Sequence, residues 1–126
     1  MGFTDDVKRF VDKTEQRSSA IFKTAAFKVI EDAQKPTAKG GRMRVDTGLL
    51  RNSLNVALNS GGSSAGPEAY SIAYGAKIGD MITVFWTAEY AAAREFGARG
   101  QSPDYFVRGA LAKWKQFVKE ATIEYS

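Results

Sequence analysis

The 126 residues carry 18 Lys and Arg against 14 Asp and Glu, a formal net charge of +4, with 44% hydrophobic and 25% charged residues. This is ordinary for one globular domain with a modest core, and the positive excess is too small to mark a dedicated nucleic-acid arm. Cysteine and histidine are both absent, which excludes disulfides, thiolate metal sites, a cysteine nucleophile, the Ser-His pairing and the commonest general base. No apolar run reaches the length of a membrane span, and Met1-Gly2-Phe3-Thr4-Asp5-Asp6 is too acidic and polar for a secretory signal. A cytosolically made protein with no membrane association, no cofactor and no metal is expected.

Residues 1–34 read as an N-terminal helix. Thr4 to about Ala33 contains neither proline nor glycine, and Thr4 is placed to cap it, with Asp5 and Asp6 against the positive end of the helix dipole. Phe3, Val7, Phe10, Val11, Ile21, Phe22, Ala25, Val29 and Ile30 recur at spacings of three, four and seven, which builds one apolar face. The more polar stretch Thr14 to Ser19 suggests that the helix contacts two bodies or extends past its own domain. Its apolar stripe serves either an intramolecular core or a neighbouring subunit. Pro36 ends the helix.

Residues 35–45 read as a basic loop, with Lys35, Lys39, Arg42 and Arg44 on a backbone softened by Gly40 and Gly41 and no acid among them. Such a loop can be a solvated connector, dock on an acidic rim of a partner, or lie along phosphates without reading sequence. No aromatic residue is interleaved to stack on bases.

Residues 46–87 read as a capped turn and a sheet. Asp46 is placed to accept the N–H of Gly48 or Leu49 at the start of a short helix anchored by Leu49, Leu50 and Leu54. Asn52 to Asn59 alternates Leu54, Val56 and Leu58 against Asn55 and Ala57, the pattern of a half-buried strand. Ser60 to Pro67 is rich in glycine and serine and reads as an exposed, mobile loop. Ala69 to Ala76 and Met81 to Thr87 read as two further strands joined by a turn at Lys77 to Asp80, forming a hairpin.

Residues 88–126 hold a short helix, a loop and a C-terminal helix. Ala88 to Gly97 is alanine-rich and closes on a glycine suited to a left-handed cap. Glu89 and Glu95, six apart, lie on different helical faces, so a salt bridge or a hydrogen bond to a loop is favoured over catalysis. Ser102 reads as the cap of the closing helix, with Pro103 at its first position. Phe106, Ala110, Trp114, Phe117, Val118, Ala121 and Tyr125 form its stripe, with Trp114 and Phe117 expected in the core. The whole is a single α+β domain: a long N-terminal helix and a C-terminal helix packed on a small antiparallel sheet of about three to four strands.

Three landmarks then line up: Asp46-Thr47-Gly48-Leu49-Leu50-Arg51-Asn52-Ser53, Glu89-Tyr90-Ala91 through Glu95-Phe96-Gly97, and Pro103-Asp104-Tyr105-Phe106 onward to Leu111. In this order they resemble the tail-completion (head–tail joining) proteins of long-tailed bacteriophages. Tyr105, between Asp104 and Phe106, and the helix-favouring Ala92-Ala93-Arg94 depart from that pattern. The resemblance implies a virion neck protein, made in the host bacterial cytoplasm and not an enzyme. Its copies would close into a homo-oligomeric ring, a hexamer, between the capsid connector and the tail tube. Asp46, Thr47, Gly48, Leu49, Arg51, Ser53, Glu89, Tyr90, Glu95, Gly97, Pro103 and Phe106 would be its motif positions. The implied partners are portal-side adaptor or stopper proteins and tail terminator or tail tube proteins. Lys35, Lys39, Arg42 and Arg44 would face a partner, or DNA in the channel non-specifically. A tail terminator or connector adaptor of the same neck is an alternative, as is a small basic nucleic-acid-binding module.

Overall fold

The uninterrupted run of helix formers ending at Gln34 becomes one 32-residue helix, α1 (Phe3–Gln34), in the computed structural model, which describes residues 2–44, 48–59, 61–89, 91–97 and 102–125. At about 1.5 Å per residue, α1 is about 48 Å long. Gly2 rather than Thr4 precedes it, and Asp5 reaches back to accept the Gly2 N–H at 3.5 Å. α2 (Leu49–Asn52) follows, its Gly48 left-handed at φ 81.

The sheet has strand order β2-β1-β3, all antiparallel, with β1 (Leu54–Leu58) between β2 (Ser63–Ala65) and β3 (Ile82–Trp86). Val56 sits opposite Ser64 on one side and Val84 on the other. The alternation expected of β1 holds: Leu54 and Val56 are fully buried and Leu58 nearly so. Ser63–Ala65, expected in a mobile loop, forms an edge strand instead. Gly61 and Gly62 both take positive φ, and the Leu58 N–H donates to the Gly62 carbonyl at 3.0 Å to close the β1–β2 hairpin.

The expected strand Ala69 to Ala76 is a 3-10 helix, Ala69–Gly75, so the expected hairpin with β3 does not form and β3 pairs with β1. The alternation of Tyr70, Ile72 and Tyr74 was the misleading signal. Ala69, Ala73 and Ala76, four and three apart, are the buried face, and Tyr70 and Tyr74 both turn to Phe27 of α1, at centroid distances of 5.1 and 4.4 Å.

α3 (Ala91–Phe96) ends at Gly97, left-handed at φ 81 as expected, whose N–H donates to the Ala93 carbonyl. The expected single closing helix is two, α4 (Phe106–Leu111) and α5 (Trp114–Glu124). Pro103 lies ahead of α4 rather than in its first turn, because Asp104 is drawn inward and Tyr105, at φ 54, redirects the chain. Trp114 is 36% exposed and Phe117 only half-buried, so neither fills the core. α5 instead runs antiparallel along α1: Lys113 pairs with Asp32, Glu120 with Lys28, and the Tyr125 carbonyl accepts from Arg17.

Two clusters make the core. Ile30, Leu54, Val56, Ala69 and Ala73 form one; Ala33, Met43, Leu50, Phe106 and Ala110 form the other. Trp86 packs against both and meets Phe106 edge-on at 5.0 Å. Its indole N–H donates to the Gln34 side-chain oxygen at 2.8 Å, and the Gln34 amide donates to the carbonyls of Arg51 and Pro67 at 2.8 and 2.9 Å. Gln34 is 1% exposed. Gln34→Leu strands the indole N–H and two carbonyls, so a loss of about 3 kcal/mol is expected. It should appear in urea denaturation as a lower midpoint at unchanged slope.

Candidate assembly surface

Pro36 and Gly41 make the basic stretch far more ordered than a solvated loop. Thr37–Lys39 is a 3-10 turn, Pro36 bridges to Met43, and the Thr37 N–H donates to the Met43 carbonyl at 3.0 Å. Met43 is fully buried and pins the segment to the core. Arg44 forms an ion pair with Asp104 through Nε, and its own backbone N–H donates to the same carboxylate at 3.0 Å. Its guanidinium also donates to the Ser102 carbonyl. The Asp104 side chain is 2% exposed, so the ion pair locks the basic stretch to the approach of α4. Arg42 lies across α4 at Gly109, where a Cβ would come within 2.3 Å of the arginine side chain; a buried glycine is what lets it cross. Lys35 and Lys39 are exposed.

Several of the described motif positions do internal work. The Arg51 guanidinium donates to the Gln34 carbonyl at 3.0 Å, and the Ser53 hydroxyl to the Leu50 carbonyl at 2.7 Å. Leu50 is buried while Leu49 is 61% exposed. Glu95, buried at the end of α3, accepts the N–H groups of Val107 and Arg108 at 2.8 and 3.0 Å, capping α4 with a carboxylate where the helix dipole favours one. Glu89 is exposed in the turn ahead of α3, outside the helix expected to carry both glutamates, so the two occupy different environments for a reason other than helical spacing. Phe106 is in the core. Asp46, Thr47 and Tyr90 lie outside the described residues.

A polar hollow of about 440 Å³ opens between α1 and α5 near the basic stretch. Lys28, Lys35, Lys39 and Arg51 line it, but so do Glu31, Asp32 and Glu120. The Gln116 amide donates to Glu120, which with Lys28 holds that carboxyl below its ordinary value, while burial and then Glu31 and Glu68 push the Tyr70 hydroxyl up. Three carboxylates among the four cations offset most of the attraction the hollow would have for phosphate.

Another uncovered feature is apolar. Residues 3–17 of α1 are exposed throughout, and this arm carries Phe3, Val7, Phe10 and Val11 at 84, 43, 71 and 44% exposure. Phe3, Val7, Phe10 and Thr14 continue, at spacings of four, three and four, the seam of α1 that α5 covers from Arg17 to Asp32. The seam is thus packed in its C-terminal half and bare in its N-terminal half. On the body, an apolar groove of about 300 Å³ lies among α1, β3 and the α4–α5 turn. Nearby, Arg108 stacks on Phe96 and Tyr105 at 4.8 and 4.4 Å, a surface group of the composition found at interface centres.

From its polar interruption the sequence anticipated a helix that contacts two bodies or extends past its own domain, and the exposed residues 3–17 show the extension; it did not reveal the groove, which three separate segments build. Among the described residues no helix is long and apolar enough to cross a membrane, and no group of three or more acidic residues could hold a metal ion. No family model, curated protein or solved structure matches this chain. Arg44→Ala, which leaves Asp104 buried and unpaired, should cost about 2 kcal/mol after allowing for the partly exposed guanidinium. Lys39→Ala should cost less than about 0.5 kcal/mol. Thermal melts of the two variants compare them directly.

Proposed function

We propose that this chain is a structural protein of a long-tailed bacteriophage neck, whose copies form a ring joining the capsid connector to the tail tube. One observation carries the reading: a helical arm that holds two phenylalanines and two valines in water. Leaving that much apolar surface bare is unfavourable by about 25 cal/mol for each Å², and contiguous apolar exposure of this kind marks a protein interface rather than a reaction site. The ordered landmarks Gly48 to Ser53, Glu95 to Gly97 and Pro103 to Leu111 support the neck assignment through the resemblance they carry. Ring closure needs unlike surfaces meeting between successive copies, and the arm and the body groove are unlike surfaces.

The same architecture serves a tail terminator or connector adaptor, so the neighbouring proteins decide which ring is formed. A phosphate-binding role is less well supported. Arg44 is held by Asp104 and Arg42 lies across α4, and acidic residues line the hollow beside Lys35 and Lys39. Removing the gene from a producing phage should yield filled heads and finished tails that fail to join, counted by negative-stain electron microscopy of lysates. Intact tailed particles in the deletion would overturn the proposal. Tight duplex binding by the purified protein at physiological salt would favour the nucleic-acid reading.

A further inference from the structure

We infer that the arm of one copy docks in the body groove of a second copy of this chain, Phe3 and Phe10 entering between α1, β3 and the α4–α5 turn. This rests on the assembly reading above and names the surfaces that would carry it. Phe3, Val7, Phe10 and Val11 stand at the i, i+4, i+7 and i+8 positions by which an amphipathic helix seats itself in an apolar groove. The groove is lined by Phe22, Val29, Ile82, Val84, Leu111 and Trp114, among others, with Leu111 still 55% exposed. Its volume of about 300 Å³ is about twice the roughly 150 Å³ cavity that accepts a benzene ring, which suits two phenylalanine side chains.

Donor and acceptor cannot meet within one chain. Phe10 and the groove residue Phe22 belong to the same continuous helix, about 18 Å apart along its axis, and a straight helix does not fold back on itself. The two surfaces therefore satisfy each other only between copies. A contact that joins unlike patches leaves one arm and one groove open at the ends of every chain of copies, so it propagates, and it closes into a ring where the rotation between copies returns to the first. At about 150–250 Å² for each aromatic side chain, the four arm residues at their observed exposures offer about 400 Å². That is about half of the roughly 800 Å² that each partner contributes to a stable interface; the groove walls and the Arg108 cluster are at hand to supply the rest.

The test uses two exposed positions, Phe10→Glu on the arm and Leu111→Glu in the groove, in the full chain. Light scattering coupled to size exclusion should give a mass above the monomer for the wild type, and self-association weakened at least about tenfold in each variant. Mixed one to one, the variants should form a dimer of one copy of each, because the good arm of one meets the good groove of the other. Oxidation of the double variant Phe10→Cys, Leu111→Cys, in a chain otherwise free of cysteine, should link copies to one another; this readout also serves if a glutamate variant fails to fold. A mixture that stays monomeric, a Leu111→Glu variant with wild-type mass beside a monomeric Phe10→Glu (arm-to-arm pairing), a wild type monomeric at every concentration, or no linkage between copies would each overturn the inference. A wild-type mass that stops at two copies upholds the contact and removes the ring. A mixed dimer from a protein whose loss leaves tails joined upholds the contact and removes the neck role.

Discussion

The side-chain amide of Gln34 is the interaction on which the body of this protein depends. It stands at the last residue of α1, is almost wholly buried, and uses both amide hydrogens and its oxygen at once. Its partners are the carbonyl of Arg51 in the short helix α2, the carbonyl of Pro67 beyond the first hairpin, and the indole of Trp86 on the last strand. A buried amide with every partner in place is directional in a way that apolar packing is not. It sets where the long helix stops relative to the sheet, and Arg51 returns a bond to the Gln34 carbonyl. Trp86, held in this way, reaches both hydrophobic clusters and makes them one core.

Two carboxylates repeat this logic nearer the C-terminus. Asp104 draws in Arg44 from sixty residues away, and Glu95 caps α4 from α3. Both are buried acids with charged or backbone donors, the condition under which such groups hold a fold rather than weaken it. The body is therefore closely tied at one end of α1. Toward its other end α1 is exposed from residue 3 to residue 17, and the seam that α5 covers stops near Arg17. One helix is thus half core element and half bare arm.

That division bears on function more than any single side chain does. A chain stabilising only itself has no use for four apolar residues held in water on a projecting helix. The proposed neck role gives the arm a purpose, and the groove, a second unfilled apolar surface out of the arm's own reach, gives it a destination. Charge contributes less than composition suggests, because Arg44, one of the four loop cations, is bound to the buried Asp104.

How much of this the sequence determined follows from the range of the interactions. Periodicity of 3.6 and the stop at Pro36 set α1, alternation set β1 and β3, and Gly97 marked the end of α3, because each of these depends on residues a few positions apart. The polar interruption in α1 already pointed to a helix in contact with two bodies or running past its own domain. Gln34 lies four residues after Ile30 on the buried face, a signal that a polar residue there needs partners, but nothing local says which ones. The 3-10 helix at Ala69–Gly75 was hidden because aromatic alternation imitates a strand until Phe27 is brought beside it. The break between α4 and α5, the ordered basic stretch and the pairing of β3 with β1 were decided only by tertiary structure. In each case the deciding contact joins segments far apart in the chain, and such a contact gains its energy only once the segments between them have folded.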